Sequence, residues 1–178
     1  FPYTTLFRSE TMKEDELVRF RRENVGFIFQ SFHLIGTMNA PENVAMPLMF
    51  KGDPRMTRMK KADQMLNLVH LKKHKKHLPN QMSGGQQQRV GVARALVADP
   101  QIVFADEPTG NLDSHTSEDV MRLMQRIVRE QNRTLVMVTH DNHLAEFADR
   151  VFHISDGRIV RIEENKNESE GGKAHETA

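Results

Sequence analysis

Ile102-Val103-Phe104-Ala105-Asp106-Glu107 is the stretch on which the fold turns. Four apolar residues read as a short buried strand, with two carboxylates at its C-terminal end. Open α/β sheets bind their ligands at that end. Neighbouring carboxylates on a strand end point in different directions and can divide labour. Asp106 can hold Mg²⁺, directly or through water, and Glu107 can polarise an attacking water. The plainer reading is an acidic turn ahead of Pro108, and these six residues alone do not choose between the two.

Outward from this strand the texture alternates. Upstream, a helix is expected from about Ser83 to Ala98, and a strand at Val25-Gly26-Phe27-Ile28-Phe29 ends at Gln30. Downstream, Val120, Leu123, Met124, Ile127 and Val128 give one apolar face to a helix over 114–130. Strands at Thr134–Val138 and Val151–Ile154 flank a short helix over 143–148. Asp156-Gly157 then makes a hairpin-type turn into Ile159-Val160-Arg161-Ile162. Strands alternating with helices predict right-handed crossovers and a largely parallel sheet, with the hairpin on one edge.

Between Gln30 and Pro79 the pattern is helix and turn only, so this block is expected to form a separate helical lobe. Pro41-Glu42-Asn43-Val44 starts one helix with Pro in its first turn. Residues 55–70 read as an amphipathic helix carrying Met59, Ala62, Met65, Leu66 and Val69.

Two further segments carry chemistry. Ser83-Gly84-Gly85-Gln86-Gln87-Gln88-Arg89 opens a helix. Paired glycines at a helix N-terminus let backbone N–H groups approach a phosphate. Ser83 with Gln86 is also a capping box, which by itself would not call for the glycine pair. Val138-Thr139-His140-Asp141 places a histidine at the end of another parallel strand. A lone histidine there is ordinarily a satisfied polar residue, and sharing a sheet edge with Asp106 and Glu107 favours function.

Taken together these segments resemble the ATPase subunits of ABC transporters, over roughly residues 12–162. Gln30 resembles the Q-loop, and Met82-Ser83-Gly84-Gly85-Gln86 the signature, with Met in place of the usual Leu. Ile102 to Glu107 resembles Walker B, Asn111-Leu112-Asp113 the D-loop, and His140 the switch histidine. Phe29-Gln30-Ser31-Phe32-His33-Leu34 and Pro108-Thr109-Gly110-Asn111-Leu112-Asp113 look like the branch serving lipoprotein release, macrolide export and antimicrobial-peptide resistance.

The resemblance implies an α/β, P-loop NTPase-like core with a mainly parallel sheet and an inserted α-helical subdomain at about 31–82. It implies ATP and Mg²⁺ as ligands, and a second ATPase subunit, as a homodimer, facing the first head to tail. Ser83, Gly84, Gly85 and Gln86 would then meet the γ-phosphate of a nucleotide held by the partner, and Asp113 would couple the two sites. Asp106 and Gln30 would serve Mg²⁺, Glu107 would activate water, and His140 would hold the γ-phosphate. A transmembrane permease would receive the work, placing the subunit on the cytoplasmic face of the cell membrane.

One element of the family is absent from the 178 residues: no G-x-x-x-x-G-K-[ST] occurs. The expectation is therefore a chain lacking its N-terminal strands and P-loop, inactive when isolated. Residues 1–11 are unassigned and read as a scar or mistranslated junction, and 163–178 as a disordered tail. A silent interaction module is a second reading of the chain. A soluble relative acting on nucleic acid or ribosomes is a third, disfavoured because neither a coiled-coil insertion nor a tandem ATPase unit is present.

Composition is compatible with this. The net charge of +1 gives no global field toward nucleic acid, and the lack of cysteine excludes disulfides and thiolate metal sites. No apolar run nears the roughly 20 residues of a membrane span.

Three groups remain. His70, His74 and His77 have a spacing that could clamp a metal on a helix face, but four neighbouring lysines oppose it and a solvated face is expected. Phe29, Phe32, Leu34, Ile35 and Met38 are either core or, by the resemblance, part of the permease-docking groove. Met46, Met49, Met56, Met59 and Met65 are read as gap-fillers.

Overall fold

Over residues 12–165, which a computed structural model describes, the chain forms α1 (Glu14–Asn24), β1 (Val25–Phe29), α2 (Ala40–Phe50) and α3 (Arg55–Leu68). There follow α4 (Gly84–Leu96), β2 (Ile102–Asp106), α5 (Ser114–Glu130) and β3 (Thr134–Val138). The last elements are α6 (Asn142–Ala145), β4 (Arg150–Ser155) and β5 (Arg158–Glu164). The junction expected at 1–11 and the tail beyond Asn165 lie outside the described residues. Glu163 and Glu164, placed in that tail by sequence, belong to β5.

Two compact units divide the chain after Val138, within the stretch expected as one domain. The first holds a three-stranded parallel sheet in the order β1-β2-β3, so the fold is α/β as expected. Phe29, Asp106 and Val138 stand in register at its C-terminal edge.

Val90, Val92, Ala93, Ala95 and Leu96 are all buried, so the C-terminal half of α4 is enclosed on most sides and acts as the hub of this unit. It packs against α2, α3, α5 and β1. The helical block at 31–82 contains α2, α3 and no strand, but it belongs to the same compact unit as the sheet. Val44, Leu48, Ala62 and Leu66 are buried in its helices, which pack on α4.

Asn43, fully buried in α2, fastens the loop leading into that helix. Its Oδ1 accepts from Ile35 N–H at 2.7 Å, and its Nδ2 donates to the carbonyls of Ile35, Met38 and Asn39 at 3.1, 2.9 and 3.2 Å. Asn43→Ala leaves several of these groups unpaired and is expected to cost about 2 kcal/mol, read as a lower denaturant midpoint with an unchanged m-value.

Strand β2 is covered on one face only, not on both as its four apolar residues suggested. Val103 and Ala105 are buried, whereas Phe104 is 39% exposed. Phe27, Val136 and Val138 share that open face, and the Phe27 and Phe104 rings stack with centroids 5.8 Å apart.

The helix α1 carries no buried residue and had no apolar stripe to announce it. Its signal was electrostatic, with Glu14, Asp15 and Glu16 in the first turn and Arg21 and Arg22 in the last.

In the second unit β4 and β5 form an antiparallel sheet of their own. The hairpin expected on an edge of the parallel sheet is instead a separate two-stranded sheet, with no ladder to β1, β2 or β3 among the described residues. Asp156 and Gly157 have φ of 49° and 74°, the pair of positive values a tight hairpin turn requires.

Candidate functional site

The parallel strands end together, and their exits bring three of the expected residues to one edge. Asp106 closes β2 with an exposed side chain, and Gln30 follows the strand whose last residue is its register partner. Glu107 leaves the sheet with φ 42°, a left-handed conformation uncommon outside glycine. Its N–H donates to Val138 O at 2.9 Å and its carbonyl accepts from Gly110 N–H at 3.0 Å. Gly110 lies against the Gln30 amide: a Cβ there would stand 2.6 Å from Nε2. Asn111 Nδ2 donates to Gln30 O at 3.1 Å, completing the tie between the two strand exits.

Asp113 is the N-cap of α5, accepting from Thr116 N–H at 3.0 Å. That backbone bond, then the Thr116 side chain, holds its carboxyl below the usual carboxylate range. The cap is complete above the unfolded-state range and is lost as pH falls through the lowered folded-state value.

Ser83 caps α4 by the expected box: Oγ accepts from Gln86 N–H at 3.3 Å, and Gln86 Oε1 accepts from Ser83 N–H at 3.2 Å. That second bond fixes the orientation of the Gln86 amide, so its NH₂ faces His74 Nε2 at 3.2 Å.

The glycine pair turns out to have a packing reason of its own. A Cβ on Gly85 would collide with the Thr116 methyl, and one on Gly84 would stand 3.1 Å from Leu112 Cδ2. The start of α4 thus lies on the Leu112–Thr116 segment, and a phosphate is not needed to explain both glycines.

The structure groups Gln30, Asp106 and Glu107, and separately groups Ser83, Gly84 and Gly85 with the segment carrying Asp113. His140 follows β3 by two residues and falls in the second unit.

His70, His74 and His77 do not share a helix face. Helix α3 ends at Leu68, His70 has φ 62°, and Lys72–His74 is a 3₁₀ turn. No group of three His, Cys, Asp or Glu residues suited to a metal occurs among the described residues. Nor is this a fully solvated face: His74 Nδ1 and His77 Nδ1 are buried without a partner.

Two residues near the site escaped the sequence reading. Arg94 donates to the carbonyls of Phe32 and His33, at 2.8 Å to the former, and holds the segment after Gln30 where both residues have positive φ. Burial pushes its guanidinium down from the ordinary value. Gln88 is fully buried and donates to Pro108 O. In each case a polar residue on an apolar helix was the available signal.

For Mg²⁺, the Asp106 carboxylate and Gln30 amide at the strand exits are hard oxygen donors, which suits that ion. For nucleotide phosphates, the residues present offer the N-terminus of α4 but no Lys-bearing glycine loop.

The sequence pattern defining the ABC transporter family matches residues 4–110, and the chain belongs to that family. The match starts ahead of Met12, where the motifs alone began the resemblance. Among named relatives it is 49% identical over 154 residues to the macrolide export ATP-binding/permease protein MacB of Shewanella sp. (strain ANA-3), covering 86% of this chain and 23% of that one. It is 44% identical over 165 residues to the uncharacterized ABC transporter ATP-binding protein MJ0796 of Methanocaldococcus jannaschii, covering 90% and 70%. The chain thus spans about a quarter of the macrolide-export relative. A dimeric structure of MJ0796 in a post-hydrolysis state, bound to ADP and Pi, superposes with a TM-score of 0.76 at 42% identity, covering 88% of this chain and 69% of that one. No helix among the described residues is long and apolar enough to cross a membrane.

Proposed function

We propose that this chain is the catalytic and signature portion of an ATPase subunit that drives an exporter or lipoprotein-release permease from the cytoplasmic face of the membrane. The observation that carries this reading is the sheet edge, where Gln30, Asp106 and Glu107 are held together by the Gly110 and Asn111 contacts. There the Glu107 carboxylate takes a proton from water as the water oxygen attacks the γ-phosphorus. The bond from that phosphorus to its bridging oxygen breaks, and ADP leaves. Mg²⁺, when bound, neutralises charge on the phosphate oxygens, and Asp106 and Gln30 are the residues to hold it.

Ser83, Gly84, Gly85 and Gln86, at the start of α4, serve a nucleotide on a second subunit, a homodimer partner, with Asp113 coupling the two sites. His140 serves the γ-phosphate. The likeness to a dimeric relative with ADP and Pi supports these assignments.

A groove of about 390 Å³ lined by Met38, Met46, Met49, Met59, Arg55 and Arg58 is the permease-docking surface. Met49 is 41% exposed and Met38, Met46 and Met59 are half-buried, so these methionines offer an adaptable apolar surface.

The test is ATP turnover by the chain as given and by the protein expressed from its complete reading frame. The chain as given has no phosphate loop and is expected to be silent. The complete protein is expected to hydrolyse ATP and to stop when EDTA removes the divalent ion. Silence in both would leave only the interaction-module reading.

A further inference from the structure

Gln88 is fully buried in α4, and nothing in the reaction as described makes use of it. A buried amide is favourable only when both of its halves are bonded. Here one half is: Nε2 donates to Pro108 O, while Oε1 has no hydrogen-bond partner. Val90, Val92 and Ala93 on the same helix are buried and apolar.

The one bond it makes falls on the residue after Glu107. Glu107 is held left-handed, and such a conformation persists only where its surroundings fix it. Val138 O anchors the peptide before it, Gly110 N–H anchors its carbonyl, and Gln88 anchors the next carbonyl along. Three bonds from three directions therefore fix one turn, and the Glu107 side chain leaves from the middle of it. Of the three, only the Gln88 bond comes from a side chain and from α4, the helix whose first turn is Ser83 to Gln86.

We propose that Gln88 is a positioning residue for Glu107: its amide fixes the Pro108 carbonyl and so holds the turn that aims the Glu107 carboxylate. The bond also ties the signature helix directly to the turn bearing the base within one chain. A displacement at the start of α4, where the second subunit's nucleotide is to bind, reaches Glu107 without passing through the sheet. The assignment rests on the reading of Glu107 as the base.

Gln88→Met keeps the length and apolar volume of the side chain and removes both amide groups. On the chain as it is, hydrogen exchange at the Glu107 and Gly110 amides is expected to quicken about tenfold, while the Val92 and Ala93 amides inside α4 keep their protection. In the protein expressed from its complete reading frame, kcat per nucleotide-binding site is expected to fall about tenfold with KM within about twofold. A merely structural role would loosen α4 as well and would not produce that split. Unchanged exchange at both amides, or kcat within about twofold of the parent, overturns the assignment. Glu107→Gln measured alongside separates the two readings. If that variant keeps its turnover, Glu107 is not the base, and the exchange result alone decides whether Gln88 holds the turn.

Discussion

Glu107→Gln is expected to lower ATP turnover by about 10²–10⁴-fold in the protein expressed from its complete reading frame, with nucleotide binding retained. The substitution keeps size and shape and removes only the basic oxygen. The left-handed turn depends on backbone bonds to Val138 O and from Gly110 N–H, neither of which the new side chain touches. The loss is therefore one of proton acceptance and not of geometry. Phosphate release under saturating ATP, beside a direct measurement of nucleotide binding, reads the two separately. Turnover within about tenfold of the parent would mean that another group activates the water, and the sheet-edge assignment would fall.

Gly26→Val is expected to be the most destabilising single change in the first unit, at about 3 kcal/mol. Gly26 is buried in β1 where the strand passes the C-terminal end of α4. A Cβ there would run into the Ala95 carbonyl oxygen and stand 3.2 Å from Pro100 Cγ. Ala95 is helix backbone, so relief requires moving α4 off the sheet, and α4 is what α2, α3 and α5 pack upon. Thermal unfolding should shift down by roughly 10 °C for such a loss. A shift under about 2 °C would show that α4 and β1 are not held at this separation.

Much of this was legible in the sequence because the signals were local. The 3.6-residue stripe of α5, the capping box at Ser83 and the Asp156-Gly157 turn each specify their own structure within a few residues. The grouping of Gln30 with Asp106 and Glu107 came from the family resemblance, and the register of β1 with β2 accounts for it. What escaped was non-local or non-apolar. Helix α1 is set by end charges without a buried stripe, and the spacing of His70, His74 and His77 suited a helix face although the helix ends at Leu68 and His70 has a positive φ. Burial of Gln88, Arg94 and Asn43 depends on which segments meet them, with carbonyls 20, 61 and 62 residues distant for the first two. The second face of β2 could not be known from four apolar letters, since the run is the same whether one face or two are covered.

The central claim is that the Ser83–Gln86 segment works on a nucleotide held by a second subunit. Photolabelling tests it most directly, with an ATP analogue carrying an aryl azide on its γ-phosphate and peptide mapping of the label. The chain as given would be irradiated alone and together with the protein expressed from its complete reading frame. The account predicts label on Ser83 to Gln86 of this chain only when the second subunit is present. Label at those residues in the chain alone, or none there with both subunits present, would contradict it.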